Sequence, residues 1–341
     1  MSEHRQRQGG SGTGHATEQH TMNYTAPWWL PGGNAQTLWA ATLARRNSGP
    51  LPALQRERWL TPDADFIDVD GFAGPAGAPL LVLFHGLEGS SRSHYAQALA
   101  GVAQARRWAF SVPHFRGCSG EINLAPRAYH SGDFAEVAWI MQRLRSAHIG
   151  PIYAVGVSLG GNALLRWAEE AGQQAKAQVR AIAAVCAPLD LTSSGHAIGR
   201  GFNRLLYTRM FLRSMIPRAL AKLVQYPGLF DRDTLLRAKD LQAFDNAFTA
   251  PLHGFRDVED YWHRASAKPQ LSTIRVPTLV LNTLNDPIVP ASCLPTQRDA
   301  GPYVTLTQTP QGGHVGFPAG RFPGHVQAMP QQVCAWLATH A

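Results

Sequence analysis

The chain has 341 residues, of which 45% are hydrophobic and 16% charged, and its formal net charge is +8 at pH 7. The chain is too long for one minimal domain and too short for three. Its length therefore predicts either one large globular core with an insertion or two domains. Since no basic cluster interleaved with aromatic residues resembles a nucleic-acid-binding module, the positive charge does not indicate a nucleic-acid partner.

The N-terminal residues 1–22 are rich in Gly, Ser, Thr, His and Gln and contain no apolar core. This composition predicts a disordered tail rather than a signal peptide, followed by a folded domain over residues 23–341. No apolar run approaches the roughly 18 residues of a membrane span.

Four scattered cysteines show no metal-ligand spacing and favour a reduced, cytoplasmic protein without a metal site. They are Cys118, Cys186, Cys293 and Cys334.

Two segments precede the main pattern of the chain. Residues 28–39, dense in Trp, Pro and Gly, predict a packed loop that wraps the core. Residues 55–72 alternate between charged and apolar side chains around Pro62 and Asp63, which predicts an antiparallel hairpin.

Buried strands then alternate with helices. Strands are predicted at 80–84, 108–112, 152–157, 181–187, 278–282 and 303–307, and helices at 93–106, 133–145, 159–170 and 326–338. This alternation indicates parallel βαβ units. Between about 190 and 268 the pattern is helical only, which predicts a cap inserted between the sixth and seventh strands. The expected fold is α/β, a mostly parallel central sheet with helices on both faces and an inserted helical cap.

The sharpest local motif is G-x-S-x-G at 156–160, with Ser158 at its centre. A buried strand directly before the serine and a helix directly after it are the context of a nucleophile elbow. Gly156 and Gly160 are expected to support so tight a turn. The structural alternative is a glycine-rich turn that holds an ordinary serine.

A serine hydroxyl needs a base. His314, one of 14 histidines, lies in a glycine-rich loop after the last strand, and Asp286 follows the preceding strand. Ser158, Asp286 and His314 therefore occur in the order of an α/β-hydrolase triad. Asp190, after the sheet's earlier strand, is the competing candidate for the acid, although an aspartate there is also a typical helix N-cap.

Two backbone amides are expected to form the oxyanion hole. One belongs to Leu159, the residue after the nucleophile, and the other is assigned to Leu87 in the loop that follows the strand at 80–84. His85 and Gly86 are expected to support that loop, with His85 structural rather than a second base.

Longer segments resemble the YheT-like branch of the α/β-hydrolases, a family of esterases and lipases, over nearly everything from Trp28 onward. They are NAQTLW (34–39), HGLEGSSRSHY (85–95), HFRGCSGEIN (114–123), GVSLGGN (156–162), FDNAFTAPLHGFRDVEDYW (244–262), LNDPIVP (284–290) and GGHVGF (312–317). The polar N-terminal extension departs from the family pattern without touching a catalytic position. The resemblance implies hydrolysis of carboxylic esters, with acylglycerols as one substrate class, and in some eukaryotic relatives acyl transfer to alcohols.

Six cations and no acid lie between residues 200 and 222, interleaved with apolar residues. They are Arg200, Arg204, Arg209, Arg213, Arg218 and Lys222. The first interpretation is a solvated outer face over an apolar inner one. The second is a lid whose basic surface meets anionic lipid while its apolar side, with Leu205, Leu206, Phe211 and Leu212, encloses an acyl chain.

The predicted protein is thus a serine hydrolase that cleaves short-to-medium acyl esters or acylglycerols through an acyl-enzyme on Ser158. No cofactor is called for, because the chain supplies nucleophile, base and oxyanion donors itself. An acyltransferase, in which an alcohol replaces water, is the alternative of the same chemistry. A non-catalytic ligand-binding fold is the alternative from another class, although a decayed site usually loses a triad member.

Overall fold

The computed structural model describes residues 24–46 and 49–341. The predicted disordered tail, residues 1–22, lies outside the described residues. Within the described ranges, no helix has both the length and the apolar character needed to cross a membrane. All four cysteines are buried and free.

A single sheet of eight strands forms the centre of the described chain, in the order β1-β2-β4-β3-β5-β6-β7-β8. The strands are β1 Gln55–Leu60, β2 Phe66–Phe72, β3 Leu80–Phe84, β4 Ala109–Pro113, β5 Ile152–Val157, β6 Ala181–Val185, β7 Thr278–Thr283 and β8 Val304–Thr309. In the sheet order, every neighbouring pair from β4 through β3, β5, β6 and β7 to β8 is parallel. Strands β1 and β2 form an antiparallel hairpin, and β2 pairs with β4, also antiparallel. The predicted hairpin and the mostly parallel sheet are confirmed.

Helices cover both faces of the sheet, since a separate apolar cluster packs against each face. The helices outside the cap are α1 Gly33–Thr42, α2 His94–Ala105, α3 Phe134–Ala147, α4 Leu159–Ala171, α5 Ala175–Gln178 and α13 Ala328–Ala338. Strands β3, β5 and β6 are wholly buried and wholly apolar apart from one glycine. This is the pattern of strands covered on two sides, and it made them predictable.

The segment between β6 and β7 is helical. It contains α6 Leu191–Ile198, α7 Gly201–Asn203, α8 Arg209–Gln225, α9 Arg232–Leu236, α10 Leu241–Phe244, α11 Ala250–Leu252, α12 Val258–Ala265 and the 3₁₀ turn Lys268–Thr273. One apolar cluster, which includes Leu212 and Phe248, lies within this segment, and a second joins Tyr207 to Ile288 and Val289 after β7. Leu205 was expected on the inner side, but it lies outside with 59% of its surface exposed.

The prediction of a loop over residues 28–39 is wrong in its second half, which forms helix α1. The glycines that favoured a loop serve close packing instead. A Cβ at Gly33 would overlap the backbone carbonyl of Asn285, so the helix approaches that turn closely. Its polar residues Gln36 and Thr37 are buried, because they bond to backbone groups of the loop that holds His314.

Candidate active site

Ser158 stands in the sharp turn between β5 and α4. Its backbone has φ 53° and ψ −122°, outside the regions that residues with a side chain normally adopt. A Cβ at Gly156 would overlap the carbonyl oxygen of Gly160, and one at Gly160 would overlap the carbonyl oxygens of Phe84 and His85. The two glycines therefore allow the turn to form against β3, and the turn holds the serine at the carboxyl edge of the sheet.

Three predicted residues meet at this edge. The hydroxyl of Ser158 lies 2.9 Å from Nε2 of His314, and Nδ1 of His314 lies 2.8 Å from Oδ2 of Asp286. Because the carboxylate only accepts, Nδ1 carries the proton, which leaves Nε2 as the acceptor for the serine hydroxyl. The second carboxylate oxygen of Asp286 accepts from the amides of Ile288 and Val289 at 2.8 and 3.0 Å. The aspartate is thereby held in one orientation toward the imidazole.

Asp190, the competing acid, has a different position. Its carboxylate accepts from the backbone N–H and the hydroxyl of Ser193 at 2.9 and 2.8 Å and so caps helix α6. No contact joins it to His314 in the described chain, and its side chain is engaged at a helix end.

Helix α1 supports the loop that carries His314, and this role was missed from the sequence. The Thr37 hydroxyl accepts from the His314 amide at 2.8 Å, and Oε1 of Gln36 accepts from the Gly312 amide at 2.9 Å. The side-chain carbonyl oxygen of Asn285 accepts from the Gly313 amide at 3.0 Å. The only signal in the sequence that could have indicated this role is that Gln36 and Thr37 are polar residues inside a segment of tryptophans and glycines.

A second support comes from His94 at the start of α2. Its Nε2 lies 3.1 Å from the carbonyl oxygen of Val315, so Nε2–H donates to the residue that follows His314. Burial lowers the pKa of His94 to about 4, which keeps the ring neutral. The sequence analysis did not identify this role of His94. The one signal for it is that His94 lies in the segment 85–95, which resembles the family.

The loop expected to form the oxyanion hole lies directly against Ser158. A Cβ built on Gly86 would be 3.2 Å from Cβ of Ser158, and the Gly86 amide donates to the Tyr95 hydroxyl at 2.9 Å. Leu87 and Leu159 both line the cavity that Ser158 faces. The loop thus lies beside the Ser158 side chain and borders the same cavity.

His85 is wholly buried beneath that loop. Its Nδ1 lies 2.8 Å from the carbonyl oxygen of Gly86, and its Nε2 accepts from the Phe115 amide at 3.0 Å. Burial, with the neighbouring His114 as a second cause, lowers the pKa of His85 to about 3. A ring with both nitrogens engaged joins two loops and has no free nitrogen to act as a base.

The cap contacts this loop through an ion pair that the sequence did not reveal. Arg218 on α8 donates to Glu88 at 2.8 Å, and the Tyr129 hydroxyl donates to the same carboxylate oxygen at 2.8 Å. Lys222 is also buried and donates to the carbonyl oxygens of Asn123 and Ala125. Two of the six cap cations therefore face inward, contrary to a single solvated basic face.

A cavity of about 1140 Å³, including its open mouth, lies between the sheet edge and the cap. Ser158 and His314 line its floor, and Phe211, Met215 and Phe248 of the cap contribute to its wall. Its apolar cap side chains suit an aliphatic group.

A family model described as the alpha/beta hydrolase fold matches residues 79–320. The chain belongs to the α/β-hydrolase family. Over 290 residues it is 37% identical to "Putative esterase YheT" of Escherichia coli (strain K12), covering 83% of this chain and 84% of that protein. Over 316 residues it is 28% identical to "Phospholipase ABHD3" of Mus musculus, covering 89% of this chain and 75% of that protein. These matches confirm the YheT-like resemblance.

Among solved structures, the Pyrococcus furiosus esterase Pf2001 has a TM-score of 0.52 at 12% identity, with 94% of this chain and 97% of that chain covered. At that identity the likeness concerns the fold alone. The family match and this structural likeness agree on the α/β-hydrolase fold.

Proposed function

We propose that the protein hydrolyses carboxylic esters through an acyl-enzyme on Ser158. The observation that carries the proposal is the continuous chain of contacts from Asp286 through His314 to Ser158 at the floor of a cavity. Relatives named as an esterase and a phospholipase support ester hydrolysis in general.

In the first step Nε2 of His314 takes the proton of Ser158 as Oγ attacks the ester carbonyl carbon. The amides of Leu87 and Leu159 would donate to the oxyanion of the tetrahedral intermediate. As the intermediate collapses, the bond to the alcohol oxygen breaks and His314 gives its proton to the leaving alcohol. Water then repeats the sequence on the acyl-enzyme, which releases the acid and restores the serine.

The substrate class we propose is short-to-medium acyl esters, including acylglycerols. The cap covers the nucleophile with apolar side chains such as Phe211 and Phe248, which suit an aliphatic chain. A folded polypeptide would not enter a site enclosed in this way, so peptide hydrolysis is not expected.

A fluorophosphonate probe tests the mechanism. We expect one adduct, on Ser158, with none on the Ser158→Ala variant and none on Ser131 or Ser194, which line the same cavity. An adduct on another serine would refute Ser158 as the nucleophile, whereas no adduct on folded protein would refute the acyl-enzyme and favour a non-catalytic fold. A panel of p-nitrophenyl and glycerol esters of graded acyl length then defines the substrate, and casein serves as the negative control.

Products formed with and without an added alcohol separate hydrolysis from acyl transfer.

A further inference from the structure

The outer side of the cap presents apolar and basic side chains together. Residues 201–225 form one continuous helical segment: α7, a π-helical turn at Arg204–Thr208, and α8. Phe202, Leu205 and Met210 on this segment are 60%, 59% and 52% exposed. Four exposed arginines lie among them, namely Arg200, Arg204, Arg209 and Arg213. We call these seven residues the basic-apolar face.

The spacing of exposed and buried residues assigns the two sides of this segment. Exposed positions recur every three or four residues at 202, 205, 209 and 213, as on one side of a helix. Tyr207, Leu212 and Ala219 between and beyond them are buried. Positions 202, 205, 209 and 213 therefore point away from the cavity, and none of the seven residues of the basic-apolar face lines it.

No acid within the segment balances these charges. The sequence has no Asp or Glu from residue 191 to residue 230. Asp240, whose Cβ lies near Gly199, caps α10 through the Ala243 amide. Glu259, near His196, bonds to Gln242. The four guanidinium groups thus give this face a net positive charge.

We propose that the basic-apolar face binds the surface of an anionic lipid bilayer. Arginine forks pair with lipid phosphates, while Phe202, Leu205 and Met210 enter the boundary between headgroups and acyl chains. On this face three large apolar side chains that are more than half exposed lie among four arginines, and a bilayer would cover the first while it pairs with the second. A second copy of the chain fits poorly, because two such faces would repel each other. Nucleic acid would match the arginines but not the apolar side chains.

Vesicle flotation tests this proposal. Wild-type protein should float with mixed vesicles of phosphatidylglycerol and phosphatidylcholine, bind weakly to pure phosphatidylcholine, and detach as ionic strength rises. Arg209→Gln with Arg213→Gln should weaken binding by about fivefold for each arginine. Phe202→Ser with Leu205→Ser should weaken binding already at low ionic strength, because the apolar insertion is lost while the four arginines remain.

A matched control has the same change in net charge elsewhere. Arg298 and Arg321 are exposed outside the cap, so Arg298→Gln with Arg321→Gln should bind as wild type does. Equal losses in both pairs would mean nonspecific attraction and would overturn the proposal. Equal binding to neutral vesicles, or no binding to any vesicle, would also overturn it. So would tight binding of an oligonucleotide without vesicle binding, which would indicate a nucleic-acid surface. A dimer that dissociates in the Phe202→Ser with Leu205→Ser variant would overturn it too, because the face would then be an interface between two copies. Ser158→Ala should bind normally, which separates this result from the fate of the catalytic proposal.

Discussion

The side-chain hydroxyl of Thr37 accepts a hydrogen bond from the backbone N–H of His314 at 2.8 Å, across 277 residues of sequence. The same hydroxyl donates to the carbonyl oxygen of Gly33 at 2.7 Å, one turn earlier in α1. A Cβ at Gly313 would lie 2.6 Å from that carbonyl, so the loop and the helix pack without a side chain between them. Helix α1 therefore fixes the position of the imidazole loop.

Thr37→Val should lower ester turnover by about 10- to 100-fold, because a small displacement of the imidazole is costly to the reaction. It should also destabilise the fold by about 1–3 kcal/mol, since the His314 amide loses its buried acceptor. Steady-state kinetics and urea unfolding measure the two effects.

Thr37→Ser is the matched control, because it keeps the hydroxyl and removes only a methyl group. It should retain most of the turnover. If the serine and valine variants lose activity equally, the hydrogen bond to His314 is not what positions the loop.

The elements that were predictable from the sequence depend on local signals. Strand β5 is a short buried apolar run, and Gly156 and Gly160 surround Ser158 in the same stretch of chain. Within this tight turn Gly160 approaches the carbonyls of Phe84 and His85, and Gly156 approaches the carbonyl of Gly160. Short-range pattern was therefore enough for the sheet, the elbow and the order of the candidate triad.

What the sequence could not reveal depends on contacts between distant residues. Gln36 and Thr37 are ordinary polar residues until the loop at 312–314 packs on them. Likewise, Arg218 could not be separated from its exposed neighbours, because its partner Glu88 lies 130 residues away. Helical spacing indicates which residues share a side, but it does not identify a charged partner from another element.

Gly160→Ala should sharply reduce both stability and turnover. The added methyl group would overlap the carbonyls of Phe84 and His85, so the strand end and the start of the oxyanion loop would have to move. Overpacking of this kind costs about 1–3 kcal/mol or more. Thermal unfolding and ester turnover measure the effect.

Gly49→Ala is the control for this substitution, since no atom lies within 4 Å of a Cβ at that position. It should leave both stability and turnover unchanged. A Gly160→Ala variant with wild-type stability and turnover would mean that the elbow has more room than its geometry indicates.

His85 should make the protein less stable as the pH falls. Its pKa is about 3 in the folded chain, against the ordinary histidine pKa of 6.5, so the unfolded chain binds a proton first. This contribution is complete above pH 6.5 and is lost progressively between pH 6.5 and about 3. From about pH 7 to about pH 5 it amounts to about 2 kcal/mol of unfolding free energy.

The measurement is urea unfolding of wild type and His85→Gln at both pH values. The variant is less stable overall but should lose about 2 kcal/mol less between about pH 7 and about pH 5. His263→Gln, at an exposed position on α12, should lose as much as wild type. An unchanged pH dependence in His85→Gln would show that this histidine takes up its proton without unfolding.

The identity of the triad acid is tested by two matched substitutions, Asp286→Asn and Asp190→Asn. Asp286 contacts Nδ1 of His314 at 2.8 Å, whereas Asp190 caps helix α6 through the Ser193 amide at 2.9 Å. Asp286→Asn should lower turnover by about 10³- to 10⁴-fold, because the imidazole loses the tautomer that accepts the serine proton. Asp190→Asn should leave the rate nearly intact and change stability by less than about 1 kcal/mol, since asparagine also caps helices. Esterase turnover and the thermal midpoint of both variants decide the assignment: an inactive, stable Asp190→Asn protein beside an active Asp286→Asn protein would reverse it.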